Sequence, residues 1–305
     1  MENIIDQVAS KCIENLEKKV TKPQEPDITA ALVTDFPNQI NKLLKKLHSF
    51  TNCRFGGCFV HQSPIVRFKY GNNNVGCEAG DLLVLCRKKE DGAEQFNATL
   101  FQLKMHKTKG FTHSIKKNEI HQLVLYRNWP IFKIENNIRK WKTEIISSQE
   151  KEYDIYPKKA TTGAQYLFVS NNSPTIHYAL FPSMPAETVQ LNQCNTWGDF
   201  LIGFINWQIG RPVTRENETN KDEWSIFIWD LIEKSRNTVF NRRAAGFNGE
   251  KRANGEFFSL MLKHDPIRYD DNNGENDINV IRENLKGAIS ILFIDVNGDE
   301  FEIQQ

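Results

Sequence analysis

Gly80-Asp81-Leu82-Leu83-Val84-Leu85 is answered downstream by Leu100-Phe101-Gln102-Leu103-Lys104. Each stretch reads as an apolar strand with polar groups where a buried strand should carry none. Side chains alternate across a strand, so Gln102 and Lys104 point to one face and Leu103 to the other. An acid entering one strand, opposite an amide and an ammonium on the next, is a set that can hold a divalent cation and a phosphate. Metal-assisted phosphodiester cleavage uses such a set. Each residue also has a plainer reading. Asp81 after Gly80 suits a turn cap, and Gln102 with Lys104 suits the wet face of an edge strand.

Working outward, the charge distribution adds to the first reading. Net charge is only +1, yet residues 101–145 hold ten Lys and Arg against three Glu. Lys107 and Lys109 lie in a basic loop, His106 to Ser114, directly after the second strand, and Lys116 follows it. A helix predicted from about Lys116 to Asn128, stopped by Pro130, places Gln122 and Tyr126 four residues apart on one face. A second cluster comprises Arg236, Arg242, Arg243, Lys251 and Arg252. Such patches neutralise phosphates. His106, His113 and His121 have no clean helical pairing and read as phosphate-facing or surface residues. Tyr126 alone reads more readily as a core or rim aromatic than as a ligand.

The remaining pattern is mixed. Apolar spacing predicts helices over Asn3 to about Lys19, Ile28 to Asp35 (capped by Asp27), Pro37 to about Phe50, Trp197 to Ile209 and Glu223 to Phe240. Strands are predicted at Cys58–Val60 and Ile65–Tyr70, joined as a hairpin or meander, and at Asp81–Arg87, Phe96–Met105, Tyr166–Ser170, His177–Phe181 and Ala288–Val296. Residues 242–256 and 270–277 read as loop. The fold class is α/β (α+β), with a domain over 1–185 and a mainly helical C-terminal region over 186–305 that ends in a strand.

Composition narrows the function classes. Hydrophobic residues make up 39% and charged residues 25% of 305, ordinary for a globular protein. No apolar run approaches the length of a membrane span. The start, Met1-Glu2-Asn3-Ile4-Ile5-Asp6, is unlike a secretory signal. The six cysteines form no close pair, which points to reduced thiols rather than zinc, and the expected location is cytoplasmic. A phosphate-binding GxxxxGK[ST] loop is absent.

The order helix, strands, acid, Gln-x-Lys, helix resembles the PD-(D/E)xK nuclease superfamily. The form is the QxK variant of Mrr-type and Cap4-type nucleases, with Gln122 and Tyr126 fitting the QxxxY element of the RecB-like branch. The resemblance covers roughly Glu25 to Ser170. It implies a restriction-endonuclease-like mixed central sheet flanked by helices, and a Mg²⁺-dependent nuclease acting on DNA, with Mn²⁺ as a substitute. It implies Asp81, Gln102 and the Leu103 carbonyl as metal ligands and Lys104 as the group that positions water or stabilises phosphoryl charge. Lys107, Lys109 and Lys116 would face the nucleic acid, and Gln122 and Tyr126 would contact its phosphate backbone or brace Lys104. The uncharged Gln102 departs from the acidic motif and favours one metal over two. The acid that the family places on its first core helix is Glu25, with Asp35 and Glu14 as rivals; Glu78 competes equally from the strand mouth.

By the same analogy the expected partner is an ATPase or sensor of a bacterial anti-phage defence or restriction system, or a second copy of the chain. The docking face is expected in the C-terminal third around Trp197, Trp207, Trp224 and Trp229. The alternative is a non-catalytic nucleic-acid-binding or assembly module that retains the nuclease fold.

Overall fold

The computed structural model describes residues 1–47, 53–60, 64–90, 92–107, 109–135, 151–171, 176–238 and 288–296. In chain order the helices are α1 (Glu2–Glu17), α2 (Glu25–Leu47), α3 (Ile120–Asn128), α4 (Trp197–Ile205) and α5 (Glu223–Thr238). The strands are β1 (Cys53–Cys58), β2 (Ile65–Tyr70), β3 (Asn73–Glu78), β4 (Leu82–Glu90), β5 (Ala93–His106), β6 (Thr112–Ser114), β7 (Phe132–Ile134), β8 (Glu152–Tyr153), β9 (Ala164–Ser170), β10 (Ala179–Ser183), β11 (Thr188–Gln190), β12 (Arg211–Val213) and β13 (Ser290–Val296).

A mixed central sheet runs β1-β13-β4-β5-β9-β10, with β12 also on β5. β4 and β5 are antiparallel, while β13 runs parallel to β4 and β9 parallel to β5. Leu82 through Cys86 are all fully buried, as expected of a central strand covered on both faces. Leu82, Val84 and Cys86 pack into a core built with α1, α2 and α4. Leu83 and Leu85 pack into a second core with α3, α5 and a smaller sheet ordered β3-β2-β7-β8. The protein is therefore mixed α and β around one central mixed sheet. Trp197 and Trp224, expected on a docking face, lie wholly inside these cores, and Trp207 and Trp229 are half-buried. Packing against the sheet, not a partner, uses the first two rings.

Three local findings differ from the sequence reading. Pro37 does not start a helix; it lies inside the continuous α2. Proline has no N–H to return to the carbonyl four residues back, which here belongs to Val33. Gly57 of β1 packs at that point: a Cβ on Gly57 would sit 1.8 Å from the Val33 carbonyl oxygen. Asn41, one turn further along α2, clasps the free edge of β1. Its Nδ2 donates to the Phe55 carbonyl at 2.7 Å and its Oδ1 accepts the Phe55 N–H at 2.9 Å. Second, β1 and β2 are not a hairpin. β1 borders the central sheet, while β2 turns through Gly71 (φ +58°) to pair with β3. Third, the helix expected from Lys116 begins with a 3₁₀ turn, Lys117–Glu119, and α3 proper ends at Trp129 in left-handed geometry (φ 44°) before Pro130. The expected loops at 242–256 and 270–277, and the basic residues Arg139, Lys140, Lys142, Arg242, Arg243, Lys251 and Arg252, fall outside the described residues.

Candidate active site at the strand fork

The chain enters β4 from β3 through Glu78-Ala79-Gly80-Asp81, and this bend forms the site. Leu82 pairs with Phe101, so β4 has no residue left to cover β5 beyond that point. The Leu103 and Met105 N–H groups would be exposed on the vacated edge. Two carboxylates take them. Asp81 Oδ2 accepts the Leu103 N–H at 2.8 Å, and Glu25 Oε1, from the first turn of α2, accepts the Met105 N–H at 3.2 Å. A strand residue sends its N–H and C=O to the same edge, so the Leu103 carbonyl is directed to the side where Asp81 sits.

Gln102 sits across from this acid. Its Nε2 donates to Asp81 Oδ2 and, at 3.5 Å, to Glu78 Oε2. Gln102 is 1% exposed, and its Oε1 is buried with no hydrogen-bond partner. A buried acceptor without a donor is costly unless something electropositive reaches it. Asp81 is raised to about 7, first by burial, then by repulsion from Glu78, and further by Glu25. The Leu103 N–H and Lys104 act in the opposite direction without cancelling this. Glu25, Glu78 and Asp81 therefore crowd one another at the fork, with the Gln102 amide nitrogen turned to Asp81 and Glu78 and its oxygen left without a partner.

A divalent cation suits this donor set. It is a hard ion that prefers carboxylate and carbonyl oxygens, and Asp81, the Gln102 Oε1 and the Leu103 carbonyl are all oxygen donors. No group of three or more His, Cys, Asp or Glu among the described residues has metal-holding geometry, so an amide and a backbone oxygen would have to complete the shell. The carboxylates would lose mutual repulsion on binding, and a bound cation would polarise a phosphoryl oxygen.

Lys104 shares the Gln102 face, and its side chain is only 6% exposed. Its Nζ meets Glu119 Oε1 at 3.0 Å, while Glu119 Oε2 accepts the Lys116 N–H at 3.0 Å. The Glu119 carboxyl is held below its usual range by the Lys116 N–H and the Lys104 ammonium, although burial pulls the other way. A cleft of about 580 Å³ opens over this pair, lined among others by Arg67, Glu78, Lys104, Glu119 and Gln122. Gln122 Oε1 is also buried without a partner. Glu119 was not among the residues expected from sequence. Lys116-x-x-Glu119 lacks the Ser, Thr, Asp or Asn that opens a capping box, so no sequence pattern marked it.

Other expected residues lie elsewhere. Tyr126 is fully buried, and its hydroxyl donates to the Ala79 carbonyl at 2.8 Å. It braces the bend from inside and is out of reach of a nucleic acid. Gly80 is needed there, because a Cβ would lie 2.9 Å from Leu100 Cδ1 and 3.0 Å from the Tyr126 hydroxyl. Lys107, Lys109 and Lys116 are exposed. His106 is not a surface residue but is 2% exposed; its Nε2 lies 2.9 Å from the Gly110 carbonyl and its Nδ1 3.3 Å from His113 Nδ1. Burial, followed by His106, lowers His113.

Comparison of the chain with protein-family models, with curated proteins and with solved structures finds no match in any of the three.

Proposed function

We propose that the protein is a metal-dependent nuclease of restriction-endonuclease-like architecture, hydrolysing phosphodiester bonds in DNA. The observation that carries this reading is the fork. Asp81 and Glu25 cap the Leu103 and Met105 N–H groups on one edge of β5, Glu78 crowds Asp81, and the Gln102 amide nitrogen donates to Asp81 and Glu78 while its buried oxygen has no partner. Lys104 stands two residues beyond Gln102, at a cleft open to solvent. In this reading Asp81, the Leu103 carbonyl and, with its amide turned over, Gln102 Oε1 would hold Mg²⁺, with Glu78 or Glu25 nearby. Lys104 stabilises the charge that builds on the phosphoryl oxygens. A stand-alone nuclease needs restraint, so the reading includes a partner, an ATPase or sensor of a bacterial anti-phage defence or restriction system. The test is cleavage of plasmid DNA with Mg²⁺ or Mn²⁺ against EDTA. Wild type should cleave, and Asp81→Ala and Lys104→Ala should not; equal cleavage by both variants refutes the assignment.

One observation favours a second reading, a binding or assembly module without turnover. Asp81 Oδ2 already receives two donors, and Lys104 is neutralised by Glu119. In that case DNA binding with a steep salt dependence persists without any metal-stimulated product.

A further inference from the structure

The outward face of the small sheet carries an ordered set of charges that leads to the fork. Register fixes three rows on that face. Ile65 lies between Glu78 of β3 and Glu135, which follows β7; the Glu135 N–H donates to the Ile65 carbonyl at 2.7 Å. Arg67 lies between Gly76 and Lys133, and Lys133 is followed by Glu152 of β8. Lys69 lies beside Asn74, with Ile131 at the row's other end. Val66 and Phe68, the alternate residues, are buried beneath. Rows two residues apart are about 7 Å from one another.

Two features make this face a ligand surface. Arg67 and Lys133 are directly opposite, and Lys69 is two residues from Arg67 on the same face. Like charges placed opposite on a sheet repel, so the pair favours anions close by. Glu135 and Glu152 serve at the margins, at 3.0 Å from Arg67 and 3.4 Å from Lys133. These pairs are largely solvent-exposed, with side-chain exposures of 48% for Arg67 and 40% for Lys133, and such pairs are weak and exchangeable. Lys69 is exposed and has no ion-pair partner among the described residues. Second, a groove of about 790 Å³ along this face shares Arg67 and Glu135 with the cleft over Lys104. The two adjoin at Arg67 and Glu135, and the inner one reaches Glu78.

We propose that this sheet face is a track for a single-stranded polynucleotide, with Arg67, Lys69 and Lys133 holding successive backbone phosphates and Ile131, 53% exposed, lying against a base. The cleft at the inner end is the size that takes one small ligand, enough for a nucleotide or two of a single strand and too narrow for a duplex. The inference rests on the nuclease reading for what happens at the inner end, but the track itself is a binding surface that stands or falls separately.

The test is fluorescence anisotropy in EDTA, using a fluorescein-labelled oligo-dT of about twenty nucleotides and a duplex of equal length. Both are titrated with Asp81→Asn protein across a series of NaCl concentrations. Oligo-dT should bind more tightly than the duplex. The Arg67→Ala/Lys69→Ala/Lys133→Ala combination should weaken oligo-dT binding at least tenfold and lower the salt slope by about 2, at roughly 0.7 per phosphate contact. Lys69→Glu alone, which breaks no ion pair, should weaken it severalfold, and the surface control Lys159→Ala should not. The track is overturned if the triple variant and Lys69→Glu bind like the parent, if Lys159→Ala loses as much, or if the duplex binds better. Loss of track-dependent binding alongside intact Mg²⁺ cleavage by wild type would remove this inference and leave the nuclease. Track-dependent binding with no cleavage would do the reverse.

Discussion

Asp81 Oδ2 accepts the Leu103 N–H at 2.8 Å, so a carboxylate occupies the position on the edge of β5 that the next residue of β4 would have filled. One side chain thereby ends a strand pairing and gathers charge at the same point. Glu25 repeats the device one N–H further along, at Met105. The fork is held open by hydrogen bonds to carboxylates rather than by a backbone ladder, and that places acids next to Gln102 and Lys104.

The bend that delivers Asp81 depends on Gly80. Gly80→Ala puts a methyl group 2.9 Å from Leu100 and 3.0 Å from the Tyr126 hydroxyl. The expected cost is about 1–3 kcal/mol from overpacking. Urea unfolding measures it. Tyr126→Phe, which leaves the Ala79 carbonyl without its donor, should cost about 1–2 kcal/mol and leave oligonucleotide affinity unchanged.

The pH dependence of stability carries the signature of Asp81. Its carboxyl is raised from 3.8 to about 7 in the folded protein, by burial first and by Glu78 next. The folded state therefore holds a proton that the unfolded state has released, so this group makes stability fall as pH rises through that window. The slope reaches about 1.4 kcal/mol per pH unit for a single proton. Unfolding curves for wild type and Asp81→Asn at several pH values between about 4 and 7 should differ by that slope. Parallel curves would show that Asp81 ionises normally.

Gln102→Glu converts the motif to its acidic form and adds a third carboxylate against Asp81 and Glu78. It replaces a donor with a charge, and without metal it should destabilise by about 2 kcal/mol. Each added ligand charge strengthens a hard-cation site, so Mg²⁺ affinity should rise roughly tenfold. Thermal melts with and without Mg²⁺ read both effects, and the metal-induced rise in Tm should be larger in the variant.

Lys104 and Glu119 form a largely buried pair, at 6% and 20% side-chain exposure. Removing one member strands the other. Glu119→Ala should cost about 1–3 kcal/mol, less than for a fully buried pair because Glu119 keeps some contact with water. Lys104→Met, which fills the space without a charge, should cost less than Lys104→Ala in the same unfolding assay.

Much of this was legible from residues alone. The unbroken apolar run Leu82–Cys86 marked a strand buried on both faces, and the Gln102/Lys104 alternation put both on one face with Asp81. What periodicity does not carry is partner choice. β13 inserts between β1 and β4 from the far end of the chain, with Phe293 paired to Leu85, and nothing local to Ser290–Val296 encodes that. β2 read as a strand, yet its partner is β3 rather than the segment before it, because Gly71 sets the turn. Pro37 read as a helix start because local spacing does not show that the helix runs on through it to pack its Val33 turn against Gly57 of a strand twenty residues further along. Tyr126 read as a ligand because i,i+4 spacing to Gln122 fixes a shared helix face but not which end of it reaches solvent.

The account turns on a cation at the fork, and Mn²⁺ binding followed by electron paramagnetic resonance tests that most directly. Wild type should bind a single Mn²⁺ that Mg²⁺ displaces, and Asp81→Asn should bind none at the same concentration. No bound Mn²⁺ in wild type, or equal binding by Asp81→Asn, would contradict it.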